Sequence, residues 1–337
     1  MKEQYKILVT GAAGFLGSHL AEHLQKIGHQ VVGLDNMMGG YEDNVPKNIE
    51  FHKIDCCDLE KIKKVMSGID IVYHCAATAH EGLSVFSPYE ITKNNYLASV
   101  SIFSAAVNEK VKRIIFCSSM ARYGNQKTPF TEKMIPQPVD PYAISKVAAE
   151  EVLKNLCDLN KIEWVIAVPH NIIGPKQKYD DPFRNVVSIM INRMLQGKAP
   201  IIYGDGKQTR CFSYIDDCLS CLIPMIDQEN LNKQIINIGP DEEFVTINKV
   251  AEICSNITRT NLKPIYKKDR PQEVKHATCS ADKARKLLNY KTTVNLSGGI
   301  QKTFEYIKSR GVKPFDYHIN LEIKNELTPD TWLKKEI

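Results

Sequence analysis

Tyr142 and Lys146, four positions apart in Pro141-Tyr142-Ala143-Ile144-Ser145-Lys146, are the residues best suited to chemistry. On a helix that spacing puts both side chains on one face, and an ammonium near a phenol favours the phenolate, the form that accepts a proton. Ser119, at the end of the apolar run Arg113 to Ser118, offers a hydroxyl that can hold the same substrate oxygen. A Tyr-x-x-x-Lys alone is one helical turn of two common residues. It gains meaning from Thr10-Gly11-Ala12-Ala13-Gly14-Phe15-Leu16-Gly17, where bare glycine backbone and a helix amino terminus can approach a pyrophosphate. A phosphate cradle and a proton acceptor in one chain point to redox chemistry with a dinucleotide.

The surrounding elements fit that reading. Lys6 to Val9 is an apolar strand, the glycine loop follows, and Leu16, Leu20, Leu24 and Ile27 repeat at helical spacing up to Gly28. The next strand, Gln30 to Leu34, ends at Asp35, about 20 residues on, where a carboxylate can bond both adenosine ribose hydroxyls and repel a 2'-phosphate. NAD is therefore expected over NADP. Strands at Ile49 to Ile54, Ile69 to His74, Arg113 to Ser118 and Glu163 to Val168 alternate with helices at Leu59 to Met66, Pro88 to Asn108 and from Tyr142 to about Asn160. Such alternation predicts an α/β fold, a doubly wound parallel sheet of the Rossmann kind with a smaller interleaved α/β substrate-binding lobe. Residues 1–168 are expected to form the NAD-binding domain, with some later segments returning to it. Residues 169–315, rich in Gly, Pro and Asp turns, should mainly form the lobe, and 316–337 a peripheral extension.

At 337 residues and 43% hydrophobic content the chain can bury a full core. A net charge of +5 without a basic tract gives no reason to expect nucleic acid. No apolar stretch reaches membrane-spanning length, and the amino terminus enters a strand at once, so a cytoplasmic protein is expected. The ten cysteines fall within apolar patterns and read as small buried hydrophobes. Cys218-Leu219-Ser220-Cys221 has no second pair to complete a zinc site, and no metal is expected.

These motifs make residues 5 to 310 resemble the extended short-chain dehydrogenase/reductases of the nucleotide-sugar epimerase and dehydratase group. The likeness runs through the glycine loop, Leu34-Asp35-Asn36, His74-Cys75-Ala76-Ala77, Asn94-Asn95, Ser118-Ser119-x-x-x-Tyr123-Gly124, Tyr142-x-x-x-Lys146, Asn171-x-x-Gly174-Pro175, Gly204-Asp205-Gly206-x-Gln208-x-Arg210 and Arg270-Pro271. The resemblance implies that Gly11, Gly14, Phe15, Leu16, Gly17, Asp35 and Asn36 hold adenosine diphosphate, with Asp55 and Cys56 at the adenine. It implies that Cys75, Ala76, Ala77, Asn95 and His170 line the nicotinamide end beside Tyr142 and Lys146. Asn171, Asn185, Arg210 and Arg270 match positions that bind a nucleotide-sugar's diphosphate, and Tyr203 one near its base. Homodimers are the form expected of the group, through the helix near Pro88 to Asn108 and the Tyr142 helix.

Within this group the 4,6-dehydratases resemble one another in an Asp-Glu directly after the catalytic Ser/Thr, where this chain has Met120-Ala121, and the Glu that sugar-acid decarboxylases carry in this segment is also missing. What remains is a 4-epimerase, with a UDP-hexose as the expected substrate. A C4 dehydrogenase or 4-ketoreductase using the same residues is the alternative, and a non-catalytic NAD-binding protein the third reading. Ala277 aligns with a position beside the sugar's C2 substituent, where a small residue should leave room for N-acetyl groups. His80 and Glu81 depart from the group's pattern. Loop polarity facing solvent is the expectation for them, ahead of an extra acid-base pair.

Overall fold

The computed structural model describes residues 4–337. Its main sheet has seven parallel strands: β1 (Lys6–Thr10), β2 (Gln30–Asp35), β3 (Glu50–Lys53), β4 (Ile71–His74), β5 (Arg113–Cys117), β6 (Glu163–Pro169) and β7 (Gln234–Ile238). They lie in the order β7-β6-β5-β4-β1-β2-β3. The direction of winding reverses between β1 and β4, the crevice where dinucleotides bind in such sheets. Successive side chains point to opposite faces, so Leu8, Val32, Val72, Ile114 and Ile166 pack into one core, and Ile7, Val9, Tyr73, Ile115 and Val165 into another.

Helices α1 (Phe15–Lys26), α2 (Leu59–Met66), α3 (Ala98–Asn108) and α4 (Pro141–Asn160) cover the sheet. The stretch Pro88 to Asn108 is not one regular helix. Pro88–Thr92 leads into a π-turn over Lys93–Leu97 before α3 begins. In that wider turn Asn95 Nδ2 donates to the carbonyls of Ile91 (2.8 Å) and Thr78 (3.0 Å), a local competitor for the regular ladder. Helix α4 starts cleanly, with Pro141 in its first turn and Asp140 Oδ1 accepting from the Ala143 amide at 2.9 Å.

The lobe is built from short paired strands and the helices α5 (Val186–Leu195), α6 (Ile247–Thr258) and α7 (Leu296–Arg310), which share a core of Met190, Ile191, Val250 and Ile300. Strand β7 leaves the lobe to join β6 in the main sheet, and the helix Asp282–Leu288 packs on the face beside it. From the stretch 316–337, expected to be a peripheral extension, Ile319, Trp332 and Ile337 pack with Leu83, Phe86 and Phe183 in a cluster of their own, while most of its other residues are exposed. All ten cysteines are free thiols and eight are buried, as small apolar residues would be. No helix among the described residues is long and apolar enough to cross a membrane.

Candidate active site

A cavity of about 460 Å³ opens at the carboxyl ends of the sheet strands and runs into the lobe. At its dinucleotide end the glycine loop is tightly folded. Gly11 has φ +74°, and a Cβ there would sit 3.0 Å from the Ala76 backbone. A Cβ on Gly17 would lie 2.2 Å from the Gly11 carbonyl oxygen. Only bare backbone fits, and the amino terminus of α1 is left facing the cavity, as a pyrophosphate requires. Asp35 closes the ribose end. Burial raises its pKa, against amide bonds from Met37 (2.7 Å) and Ala13 (3.0 Å) that favour the carboxylate. Asn36 donates to Asp55 Oδ2 at 3.2 Å, and Asp55 Oδ1 accepts from the Cys57 amide; Asn36, Asp55 and Cys56 all line this part of the cavity.

Thr10 Oγ1 and Ser99 Oγ flank His74 at 2.8 and 2.9 Å, and Thr10 also accepts from the Ala76 amide. Burial holds the His74 pKa down to about 3, so a neutral ring ties β1, β4 and α3 beneath Cys75, Ala76 and Ala77. Asn95 departs from its expected place. It is fully buried, spends its amide on the Thr78 and Ile91 carbonyls and does not line the cavity; its neighbour Asn94 does. His170 reaches the wall with its ring held by the Pro240 carbonyl at 3.1 Å, and burial lowers its pKa to about 4.

Ser119, Tyr142 and Lys146 converge where the dinucleotide end meets the lobe. Below Ser119, Glu150 makes a two-pronged ion pair with Arg122 (3.0 and 2.9 Å) and accepts from the Ser118 hydroxyl. These groups are buried, and their mutual satisfaction fixes the Ser118 to Tyr123 segment. Burial pushes the Tyr142 phenol up to about 12, against the pull of the neighbouring Ser119 hydroxyl and of the Arg184 charge. Lys146 donates to the Cys117 carbonyl at 2.9 Å, lies 4.8 Å over the Phe116 ring and is lowered to about 8 by burial. In this arrangement Ser119 and Arg184, more than Lys146, favour the phenolate.

The lobe end carries the cations expected for a diphosphate. Arg270 bonds Glu273 at 3.1 Å and lies 4.8 Å over the Tyr203 ring, while Arg210 approaches the same Glu273 at 3.8 Å. The glutamate holds two guanidinium forks ready beside the cavity, where they can grip phosphate oxygens in bidentate fashion. Asn185 caps α5 through the Val187 amide, Asn171 donates to the Cys211 carbonyl at 2.9 Å, and both face the cavity. Ala277 is paired with Arg210 across neighbouring strands and also reaches the wall. Tyr203 is bonded through its hydroxyl to Thr331 Oγ1 at 2.6 Å, so the C-terminal stretch backs this part of the cavity.

His80 is not exposed loop polarity. It is 4% exposed and donates from Nε2 to Asp181 Oδ2 at 2.7 Å. Glu81 keeps surface that opens onto the cavity, yet the enclosing cleft and nearby Asp140 push its pKa up to about 7, against the pull of Arg210 and Arg270. Arg184 and Glu273, to which the sequence assigned no role, also line the cavity. A charged residue beside a motif leaves no periodic signal, and only the fold brings them together with Glu81.

Residues 7–239 match the NAD dependent epimerase/dehydratase family. The chain is 32% identical to a putative UDP-glucose 4-epimerase of Methanocaldococcus jannaschii over 308 residues, covering 90% of this chain and 98% of that protein. It is 31% identical to the UDP-N-acetyl-alpha-D-glucosaminuronate decarboxylase of Bacillus cytotoxicus over 318 residues, with the same coverage. A solved structure of UDP-glucuronic acid 4-epimerase from Bacillus cereus, in complex with UDP-glucuronic acid and NAD, superimposes with a TM-score of 0.84 at 30% identity, covering 91% of this chain and all of that one. With a glycine cradle that leaves no room for a Cβ, and Asp35, Ser119, Tyr142 and Lys146 lining the same cavity, this chain belongs to the NAD-dependent epimerase/dehydratase family.

Proposed function

We propose that the protein is a nucleotide-sugar 4-epimerase acting on a UDP-hexose. The observation that carries this reading is that Ser119, Tyr142 and Lys146 are assembled in the cavity while the residues directly after Ser119 are Met120 and Ala121, which can neither donate nor accept a proton. NAD, held by the Gly11–Gly17 cradle and Asp35, would supply the hydride-transfer chemistry at C4 of the sugar. Ser119 orients the C4 hydroxyl, and Tyr142 takes its proton and later gives it back. Lys146 holds the strand end beneath the site through the Cys117 carbonyl. Arg210 and Arg270 anchor the diphosphate as a pivot, so that the 4-keto sugar can turn over between the two hydride transfers.

A second reading, C4 oxidation followed by reaction at a neighbouring carbon, is favoured by Glu81, a carboxyl poised near neutrality in the same cavity. Incubation with a panel of UDP-, GDP-, dTDP- and CDP-sugars, followed by NMR and mass spectrometry, tests both. Inversion at C4 with no change of mass and no net NADH is the expected result. Release of carbon dioxide, loss of water or stoichiometric NADH would overturn the 4-epimerase reading.

A further inference from the structure

His80, Asp181 and His318 come from a loop after β4, the segment before α5 and the C-terminal stretch, and they meet in the cavity wall. Their side chains are 4%, 4% and 11% exposed. Asp181 Oδ2 lies 2.7 Å from His80 Nε2 and 3.9 Å from His318 Nε2, and one ligand atom from each residue falls within 4.8 Å of the others.

Hydrogen bonding fixes which atoms are on offer. His318 Nδ1 is 3.0 Å from the Asp316 carbonyl oxygen, which only accepts, so Nδ1 carries a proton and Nε2 is the atom left to the cluster. That Nε2 is buried and has no hydrogen-bond partner. Asp181 Oδ1 is occupied by the Phe183 amide at 2.9 Å, leaving Oδ2 for the cluster. His318 Nε2 and Asp181 Oδ2 face one another in a buried wall, an arrangement that a positive charge between them, proton or metal ion, stabilises. Two imidazoles and a carboxylate, with one ring oriented by a backbone carbonyl, form a donor set and supporting shell suited to a zinc-class cation. The observed separations bracket the roughly 3.3 Å expected between ligand atoms on a tetrahedral ion with bonds of about 2.0 Å.

We propose that His80, Asp181 and His318 bind a divalent transition-metal cation of the zinc class, with a remaining coordination position turned to the cavity and open to an oxygen donor. Binding through His80 Nε2 moves that ring's proton to Nδ1, so the ring stays neutral. The site does not rest on the reaction proposed above, and its test uses metal alone.

Full-length protein stripped with chelator and titrated with Zn²⁺ by calorimetry should bind one equivalent, and His318→Gln and Asp181→Asn should each weaken binding at least about 100-fold. Co²⁺ in place of zinc should give ligand-field bands without a thiolate-to-cobalt charge-transfer band, which separates this site from the ten free cysteines. The wild-type stoichiometry and cobalt spectrum stand even if a variant fails to fold, and thermal melting of the metal-free variants reports that separately. No stoichiometric binding at micromolar zinc, a thiolate band, or zinc affinity unchanged in folded His318→Gln would overturn the proposal.

Discussion

Lys146 Nζ donates to the carbonyl oxygen of Cys117 at 2.9 Å, joining the catalytic helix to the end of a central strand. Because burial lowers its pKa to about 8, the ammonium is lost over a range that enzymes experience in ordinary buffers. Lys146→Met, which removes that donor from the strand end beneath Ser119, should remove most of the rate. Near wild-type turnover in folded Lys146→Met would sink this assignment. The lowered pKa also couples to stability. Between the folded value of about 8 and the ordinary 10.5 the unfolded chain binds the extra proton, so this group makes stability rise with pH, by up to about 3 kcal/mol. Melting of the wild type minus Lys146→Met, compared at pH 7 and pH 10, isolates that contribution.

Tyr142→Phe is expected to keep NAD binding and lose about 10²- to 10⁴-fold in turnover, because the proton acceptor goes while the glycine cradle is untouched. Calorimetry with NAD and initial rates on the true substrate check both halves. Near wild-type rates would refute the role of the phenol.

Asp35 has its inner oxygens tied to the Ala13 and Met37 amides, so its charge faces the ribose end from a fixed position. Asp35→Ala should weaken NAD and relax discrimination against NADP. Equal affinity of the unmutated protein for the two dinucleotides would contradict this account.

Ala277 sits opposite Arg210 in the strand pair that forms one wall of the lobe cavity. Close packing makes a bulky side chain there costly for a bulky sugar substituent. UDP-N-acetylhexosamines are expected to be accepted, and Ala277→Tyr to remove that activity selectively. Turnover of UDP-glucose with none of UDP-N-acetylglucosamine in the unmutated enzyme would defeat the prediction.

A dimer is expected through the helical face near Pro88 to Asn108 and α4. Phe103 and Leu153 are fully buried in the chain's own core, whereas Leu97, at the end of the π-turn, and Ile144 on α4 are 51% and 52% exposed. Light scattering at micromolar concentration should give twice the 38.1 kDa chain mass, and Leu97→Glu should shift it toward that of one chain. A monomer in the unmutated protein would count against it.

Much of the cofactor end was legible in the chain itself because its determinants are local. Gly11, Gly14 and Gly17 specify a turn within one strand–helix unit, Asp35 ends the adjacent strand, and Tyr142 and Lys146 share a face through helical geometry alone. The parallel sheet followed from alternating apolar strands and helices. The interruption of the helix at Lys93–Leu97 was not legible, since it depends on Asn95 finding the Thr78 carbonyl in a distant loop. Nor were the burial of His80, its meeting with Asp181 and His318, the placing of Glu81 among Arg210, Arg270 and Asp140, or the packing of residues 316–337 against Leu83 and Phe183. Hydrophobic periodicity reports which face of an element is buried, but carries no information about which distant polar side chains share a pocket. That is decided by tertiary packing, where an unpaired buried charge is costly and distant groups must satisfy one another.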